Sequence, residues 1–337
     1  MVMTNILILN AGTRVKLVEY FKALPDLKVV CTDASLCAPA LFSGDRYYQM
    51  PYITDPTYVD RVLEVCELEQ IDGVLSLIDP AIFLLSQQRQ RFEEKRIVFV
   101  APPTPAVDLC FDKRKMYKFC RDHHLPTVPT YSNLADFEHD YQQGKVNFPV
   151  FIKPATGSAS MKIQKVEQLA ELQAALSGQH EMIIQPFMTG TEYGVDAYCD
   201  LETGELIECF VKEKLLMRSG ETDKARSADP NPVLPILKAL VKAADLRGPI
   251  DVDFFYEQGE WLISEVNPRF GGGYPFAQAC GMNSPKWIVN NVEHQSNQRQ
   301  TNNYPLNMVL MKYPEIVMLS QADIASHQAI SGVLDAG

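Results

Sequence analysis

The chain has 337 residues, of which 46% are hydrophobic and 22% are charged, and its formal net charge at pH 7 is −11. This length exceeds what one hydrophobic core usually supports, so two or three lobes are expected in a globular protein. The negative net charge argues against nucleic acid or a membrane as a partner. We therefore expect small-molecule partners, and a pocket for a phosphorylated ligand must be built from particular lysines and arginines.

Location and redox state also follow from the composition. The sequence has no run of about 18 apolar residues, the length needed to span a bilayer. Its first stretch, MVMTNILILNAG, lacks the basic segment of a signal peptide. We expect a soluble, cytoplasmic protein. The eight cysteines include no CxxC pair, which predicts reduced thiols and no zinc site.

The first hundred residues alternate short strand-like runs with helical patterns, beginning with NILILN, RVKLVEYFKAL and KVVCTD. This order predicts a Rossmann-like α/β domain with a parallel sheet. In YVDRVLEVCELE the apolar residues recur at helical spacing, and Asp55 or Thr57 is the expected cap. AIFLLSQQRQRFEEK is a later helical pattern, and the prolines of APPTPAVD, 101–108, predict a domain junction.

The second half of the chain has an α+β pattern. A helix is predicted from about 112 to 124, followed by the strand FPVFIKP, the loop ATGSAS and the strand EMIIQPFM. From Glu192 onward, EYGVDAYCD, GELIECFVKEKLL, IDVDFFYEQ and EWLISEVN predict antiparallel strands, interrupted by the helix PVLPILKALVKAAD. A polar connector, 293–304, precedes one last strand, LNMVLMKY.

The first lobe is open to two interpretations. The turn NAGTR and the acidic Asp33 at the end of the second strand suggest dinucleotide binding, but Gly12 is the only glycine where such sites need three. A structural turn is therefore favoured, and an NAD-dependent oxidoreductase is kept as an alternative. Asp79 follows another strand, where it serves either as a ligand or as a helix cap.

The segment FFYEQGEWLISEVNPRF predicts a hairpin that turns near Gln258 and Gly259. Strict alternation then places Ile263, Glu265 and Asn267 on one face of its second strand.

Asp253, on the first strand of this hairpin, is placed to lie across from Glu265 and Asn267. Their side-chain oxygens are hard ligands, which suit magnesium held together with substrate phosphates. Arg269, just past the strand, supplies a planar cation where a transferring phosphoryl group develops charge. The alternative is a solvated hairpin with one salt bridge.

Two lysines predict a phosphate site. Lys153 ends an apolar strand and enters the loop ATGSAS, where small residues such as Gly157 and Ser158 offer backbone N–H groups and hydroxyls to a phosphate. A lysine at the end of a buried strand favours this role over a surface side chain. Lys113, at the start of the helix after the proline junction, is the second candidate, although alone it is typical of a solvated helix lysine.

The strand EMIIQPFM ends in a hinge whose backbone is suited to bond adenine, formed by Gln185, Pro186, Phe187 and Met188. Glu192, seven residues after the start of this hinge, is placed to accept the ribose hydroxyls.

Two further segments are candidates for the acceptor substrate. The segment 212–227 is expected to form a loop carrying Lys214, Arg218, Gly220 and Lys224, which either binds an anion or is solvated and mobile. The triple glycine 271–273 is expected to adopt positive φ and to bring Gly271 and Gly272 close to the substrate. The alternative for these glycines is a flexible turn into the next helix.

Together these motifs resemble the ATP-grasp superfamily, and most closely the ATP-binding portion of the carbamoyl-phosphate synthetase large subunit. The similarity runs from ILILNAGTR to SEVNPRFGGG. The resemblance implies catalytic roles for Arg269 and Lys153 and metal binding by Asp253, Glu265 and Asn267. It also implies phosphate binding at Lys113 and Lys153, and adenine and ribose contacts at 185–188 and Glu192. The phosphate loop departs from the family pattern because Gly157 is its only glycine.

The resemblance also implies the domain organisation and the reaction. We expect a Rossmann-like pre-ATP-grasp domain, 1–103, followed by a two-lobed ATP-grasp domain, with a small lobe, 104–187, a large lobe, 188–300, and a C-terminal strand and tail, 301–337. The expected activity is that of a ligase dependent on ATP and Mg²⁺, with Mn²⁺ as a substitute, which joins a carboxylate to an amine or other nucleophile. A non-catalytic ATP-binding subunit of a split synthetase-like complex is the alternative, and a homodimer is compatible with both.

Overall fold

The N-terminal domain is built on a five-stranded parallel sheet in the order β3-β2-β1-β4-β5. The computed structural model describes residues 3–157, 163–177, 181–218, 220–322 and 324. The strands are β1 Thr4–Leu9, β2 Leu27–Asp33, β3 Arg46–Gln49, β4 Gly73–Ser76 and β5 Val98–Phe99. The helices are α1 Val15–Lys22, α2 Tyr58–Leu68, α3 Asp79–Ser86 and α4 Arg89–Glu93, with a 3-10 turn at Pro39–Ser43.

The parallel sheet predicted from the alternating pattern is confirmed, with three differences. Strand β3 was not predicted, because RYYQ is short and polar at both ends. The long helical pattern before β5 divides into α3 and α4. At α2, Thr57, one of the two expected caps, holds the N-cap position, although its side chain makes no cap hydrogen bond. Asp55, the other candidate, accepts from the Thr57 backbone N–H at 2.8 Å and closes the preceding turn instead.

A small lobe follows, with a three-stranded antiparallel sheet in the order β7-β6-β8. Its elements are α5 Thr104–Phe111, α6 Lys113–Asp122, α7 Leu134–Gln142, β6 Val150–Pro154, β7 Gln164–Val166, α8 Leu169–Leu176 and β8 Met182–Pro186. Helix α6 begins with Asp112 as its N-cap, whose side chain accepts from the Arg114 backbone N–H at 2.9 Å. This cap fixes Lys113 at the first turn of the helix.

The third part is a six-stranded antiparallel sheet in the order β13-β12-β9-β10-β11-β14. Its elements are β9 Thr191–Cys199, β10 Leu206–Arg218, β11 Glu221–Ala228, α9 Leu234–Ala244, β12 Gly248–Glu257, β13 Glu260–Asn267, α10 Tyr274–Ala279, α11 Ser284–Val292 and β14 Val309–Met311. The loop expected over 212–227 is wrong, because β10 and β11 pair along most of it.

The β12–β13 hairpin turns at Gln258 and Gly259, which have φ of 52° and 89°, as predicted. Its register contains a bulge, since Glu265 pairs with Asp253 while Ile263 pairs with the next residue, Phe254. The extra residue reverses the alternation, so Ile263 is buried in the core. The prediction that it shares a face with Glu265 is therefore wrong, and the cause is a feature that periodicity does not reveal.

One hydrophobic core joins the N-terminal domain to the large sheet. It includes Phe21 of α1 together with Phe270, Tyr274 and Trp287 from the chain after β13. Phe21 meets Phe270 edge to face, with ring centroids 6.4 Å apart. This packing sets the carboxyl ends of the parallel strands against the end of β13, where the candidate site lies. No helix among the described residues is long and apolar enough to cross a membrane.

Candidate active site

A cavity of about 490 Å³ lies where the three parts of the chain meet. The N-terminal domain supplies Arg14 and Asp79, and the small lobe supplies Lys153 and Gln185. The large sheet contributes most of the remaining polar lining, namely Glu192, Lys214, Glu221, Thr222, Asp251, Asp253, Ser264, Glu265, Asn267 and Arg269. Most residues predicted from the sequence as functional are thus brought to one space.

Two rungs of the β12–β13 ladder form the floor of this cavity. Asp253 pairs with Glu265, and Asp251 pairs with Asn267, so four oxygen-bearing side chains lie side by side on one face. Asp251 was not predicted. The alternation that places Asp253 on this face applies equally two residues earlier and was the available signal.

Lysines from both lobes neutralise these carboxylates. Lys113 Nζ lies 3.0 Å from Glu265 Oε1 and donates to the Gly157 carbonyl at 2.6 Å. Lys214 Nζ lies 2.7 Å from Asp253 Oδ1 and 2.7 Å from Glu192 Oε1. The predicted phosphate, metal and ribose residues are therefore linked through cation–carboxylate contacts.

Burial and neighbouring charges shift the pKa values of the charged side chains at the cavity floor. Burial raises the pKa of Asp253 to about 7, with Lys214 opposing and Asp251 adding to the rise. Burial alone would also raise the pKa of Glu265, but Lys113 and Lys153 bring it below its usual value. Burial lowers the pKa of Lys153. Such opposed shifts at one cavity are typical of functional sites.

Arg269 connects the floor to the N-terminal domain. Its Nε donates to Asp79 Oδ2 at 3.1 Å and its Nη1 donates to Asp251 Oδ2 at 3.0 Å. Burial acts to lower the pKa of Arg269, but the two aspartates outweigh it and raise that pKa. Asp79 begins α3 without serving as its N-cap, a position held by Ile78. The cap interpretation of Asp79 is thus wrong, and the cavity-facing one agrees with the structure.

The predicted adenine hinge is only partly at the cavity. Gln185, Pro186 and Met188 line it, and Gln185 Nε2 donates to Thr130 Oγ1 at 2.8 Å. Phe187 is not among the lining residues. Its ring centroid lies 5.1 Å from that of Phe151, and its backbone N–H donates to the Pro149 carbonyl.

One part of the prediction for the glycines after Arg269, their backbone conformation, is contradicted by the structure. None of 271–273 has positive φ, so that expectation is wrong. A Cβ at Gly271 would lie 2.5 Å from Asp251 Oδ1 and 2.8 Å from Asp196 Oδ1, and one at Gly272 would lie 3.0 Å from Glu221 Cδ. Their missing side chains make room for the protein's own carboxylates. Gly272 still lines the cavity, whereas Gly271 is not among the lining residues.

Four other predicted residues are not among the described lining of the cavity. Lys113 and Gly157 are two of them, although Lys113 contacts Glu265, which lines it. The Arg218 side chain is 68% exposed and lies 3.5 Å from Asp223, away from the cavity lining. Ser158 lies outside the described residues, and Gly157, at φ 84°, is the last described residue before it.

Some charged residues of the site were not anticipated. Arg14 Nη2 lies 2.9 Å from Glu221 Oε1, and Lys312 Nζ lies 3.2 Å from Glu221 Oε2. Behind the cavity wall, Lys212 and Asp196 form a buried ion pair. Sequence spacing gave no signal for these contacts, because the partners come from different elements that only the fold brings together.

Asp33 supports the structural interpretation of the first turn. Its Oδ2 accepts from the Gly12 backbone N–H and its Oδ1 from the Ser35 backbone N–H, both at 2.9 Å. Both carboxylate oxygens thus bind the protein's own backbone, which leaves little capacity for a ribose.

Within the described residues, no three histidine, cysteine, aspartate or glutamate side chains form a metal-binding group by themselves. The predicted set has two carboxylates, Asp253 and Glu265, and one amide, Asn267. Such a set fits Mg²⁺, which binds proteins through few carboxylates and completes its shell with water and substrate phosphates.

Comparisons with known proteins agree with this architecture. Residues 110–273 match the family described as ATP-grasp domain, and residues 6–100 match the PylC-like N-terminal domain. The chain thus contains an ATP-grasp domain. Within that class, it is homologous to the ATP-binding region of carbamoyl-phosphate synthase large chains. The resemblance inferred from EVNPR and the two lysines is confirmed.

The relatives are distant. A carbamoyl-phosphate synthase of Methanobrevibacter smithii is 26% identical over 289 residues, which are 81% of this chain and 76% of that protein. The large chain from Clostridium acetobutylicum is 24% identical over 63% of this chain, which spans only 21% of that protein. The biotin carboxylase domain of Hydrogenobacter thermophilus 2-oxoglutarate carboxylase, solved with MgADP, ADP and bicarbonate, has a TM-score of 0.74 at 15% identity, covering 92% of this chain and 74% of its own. This likeness shows a shared fold.

Proposed function

We propose that this protein is an ATP- and Mg²⁺-dependent ligase that activates a substrate carboxylate as an acyl phosphate and couples it to an amine or other nucleophile. One observation carries the proposal: Lys153, Glu265 and Arg269 line one cavity, and Lys113 lies 3.0 Å from Glu265. The ATP-grasp match over 110–273 supports the same activity.

The charges of the cavity fit a magnesium–nucleotide complex. Glu265 is paired with Lys113, and Asp253 is paired with Lys214. Mg²⁺ would be held by the oxygens of Asp253, Glu265 and Asn267, and the released lysines would contact phosphates. When bound, the metal neutralises charge on the transferring phosphoryl group. The exchange replaces each contact by another between opposite charges, so no carboxylate is left buried without a partner.

The roles of the remaining residues follow from their positions. Lys153 contacts the phosphates, and the backbone of 185–188 and Glu192 hold adenine and ribose. Arg269 is fixed by two aspartates and points a preorganised cation at the transferring phosphoryl group. Catalysis is then positioning and charge neutralisation, because the phosphoryl transfer needs no protein nucleophile.

The proposed reaction has two steps, phosphoryl transfer and coupling. The carboxylate oxygen bonds to the γ-phosphorus as the bond to ADP breaks. The nucleophile then bonds to the carbonyl carbon, and the carbon–oxygen bond breaks with its electron pair leaving on phosphate. Both substrates are small molecules. The dimeric state of the biotin carboxylase domain named above makes a homodimer a reasonable assembly to test.

The proposal is tested by ATP-dependent phosphate release in a screen of carboxylates paired with amines. Glu265→Gln is expected to weaken MgATP binding about 10-fold or more, since the amide loses the charge that faces the metal. Glu64→Gln, at an exposed ion pair on α2, is the matched control.

Equal MgATP affinity of Glu265→Gln and Glu64→Gln across a magnesium titration would contradict the metal site. MgATP binding without ADP formation from any pair in the screen would instead favour the non-catalytic ATP-binding subunit. NADH binding that ATP does not displace would favour the oxidoreductase.

A further inference from the structure

Exposed apolar side chains are concentrated at one edge of the large sheet, at the end of β10 and around β14. We call this region the β14 surface and define it as 215–218 and 305–322. It contains most of the large hydrophobic residues that are exposed in the described part of the chain. Its two segments are close, because Lys224 of β11 pairs with Leu216 on one side and with Met311 on the other. A contiguous apolar surface of this kind marks a contact with another molecule.

The strand β14 has an open side. It is the last strand of the large sheet, and no strand among the described residues lies beyond it. The Lys312 backbone N–H donates to the Asp223 carbonyl at 2.9 Å, which is on the β11 side. Bonding alternates along an antiparallel strand, so Leu310 also faces β11. The N–H and C=O groups of Val309 and Met311 therefore point away from the sheet.

The opposite edge of the same sheet is protected. At β13 the Ile263 carbonyl accepts from the Val128 N–H, and the Ile263 N–H donates to the Pro126 carbonyl, both at 3.0 Å. Proteins cover, charge or interrupt their edge strands, because an open apolar edge recruits other strands. At β14 the outward residues are instead apolar, with Val309 54% and Met311 63% exposed. Within the described residues, β14 thus lacks the cover that β13 has.

We propose that β14 is an interface between two copies of this chain, whose β14 strands pair antiparallel about a two-fold axis beside Leu310. In that register Val309 lies opposite the partner's Met311, and each donates its outward N–H to the carbonyl of the other. The two-fold axis repeats this pair, so all outward backbone groups of both residues are satisfied. The exposed side chains of Val309 and Met311 share one face and form an apolar strip across the axis.

Size and symmetry favour a second copy as the occupant. The strand Val309–Met311 has only 3 residues, so by itself it offers little to a foreign peptide. The β14 surface as a whole presents about 20 exposed residues, which matches the roughly 20–30 residues on each side of a stable interface. Pairing of identical edge strands is self-complementary and closes after two copies, so it leaves no open edge for further growth.

The first experiment measures the dimer Kd of the full chain by analytical ultracentrifugation over a range of concentrations. Met311→Lys puts a charge into the apolar strip and is expected to raise the Kd at least about 10-fold. Leu68→Lys, at a residue that is 58% exposed at the end of α2, is the matched control. A monomer at every concentration, or equal Kd values for the two variants, would overturn the proposal.

A second variant tests the backbone pairing. Met311→Pro removes an N–H that points away from the sheet, so the fold is expected to be retained while the Kd rises at least about 10-fold. Circular dichroism checks the fold. A folded Met311→Pro protein that dimerises as well as the wild type would overturn the pairing.

Disulfide trapping tests the register. In the proposed pairing the Cα atoms of Val309 and the partner's Met311 lie about 5.5 Å apart, within the range that a disulfide spans. A mixture of the Val309→Cys and Met311→Cys proteins is therefore expected to form a disulfide between 309 and 311, identified by mass spectrometry, faster than either protein alone. Equal rates would overturn the register.

Salt and amide exchange separate this interface from other occupants. Each copy carries a net charge of −11, so salt screens a repulsion and is expected to strengthen apolar and backbone pairing. Weakening by salt would indicate a contact of opposite charges and overturn the proposal. So would slow amide exchange at Val309 and Met311 in a monomer, because another part of this chain would then cover the edge. The association does not depend on the ligase activity, so either proposal can fail alone.

Discussion

Two lysines of β10 lie on the same face of the sheet, but one is in the sealed interior behind the cavity wall and the other is at the cavity. Lys212 is 1% exposed and pairs with Asp196, which is 2% exposed. Lys214, two residues later, pairs with Asp253, which is 18% exposed and lines the cavity. A Cβ at Gly194 would lie 3.2 Å from the Cε of both lysines, so this glycine of β9 makes room for the pair.

The difference separates a structural ion pair from one that a ligand is able to replace. The Lys212 pair is enclosed by β9, β10 and the start of α10, where a Cβ on Gly273 would overlap Lys212 Cε. Both side chains are thus closed off from solvent. The Lys214 pair lines the cavity, and its lysine and aspartate side chains are 6% and 18% exposed. We expect the first pair to govern stability and the second to govern ligand binding.

The largest expected effect is on folding. Lys212→Met removes the cation bonded to the buried Asp196 carboxylate, so the free energy of unfolding is expected to fall by about 3–5 kcal/mol. Urea denaturation measures the loss. Lys224→Met, at an exposed position of the neighbouring β11, is the control for replacing a lysine of this sheet.

Lys214→Met tests whether the two ion pairs contribute equally to stability. Its loss of stability is expected to be smaller than that of Lys212→Met, because solvent reaches Asp253 through the cavity. Equal destabilisation by the two variants, or a stable Lys212→Met, would contradict the distinction between them.

The next largest effect is on turnover. Arg269 belongs to the cavity-facing class, although Asp79 and Asp251 hold it in place. Arg269→Ala is expected to lower turnover by roughly 10²-fold, the scale for removing one preorganised donor. The fold is expected to persist, as judged by circular dichroism and by the unfolding transition.

Arg218→Ala is the matched control for this variant, since its side chain is 68% exposed and lies outside the cavity lining. Turnover of Arg269→Ala within a few-fold of the Arg218→Ala value would rule out a role in phosphoryl transfer.

The cavity-facing class could largely be predicted from the sequence, and the sealed class could not. Glu265 and Asn267 lie close together on one strand, and Lys153 ends a short apolar strand, so each carries a local pattern. The pair between Lys212 and Asp196 depends on the register of two strands and on the absence of a side chain at Gly273. The spacing of residues along the sequence indicates neither the register of these strands nor the space beside Gly273.

The same limit explains the errors over the hairpin and the glycines. The bulge before Glu265 changes which residues of β13 face the core, and periodicity assumes that no residue is inserted. The triple glycine was expected to adopt positive φ, which it does not, because its sequence indicates small side chains but not which groups occupy the space beside them. The structure places the protein's own charged groups there.

The smallest expected effect on stability concerns the space beside these glycines. Gly273 has φ −89°, which alanine adopts without strain, so Gly273→Ala tests space alone. Its methyl group would displace Lys212, and a loss of about 1–3 kcal/mol of stability is expected. At the neighbouring Gly272 the nearest atoms belong to the Glu221 side chain, which is 39% exposed and has solvent beside it into which it can shift, so Gly272→Ala is expected to cost less. Urea denaturation of both variants measures the difference, and equal stabilities would show that Lys212 is not tightly enclosed, since a sealed lysine has no room to yield.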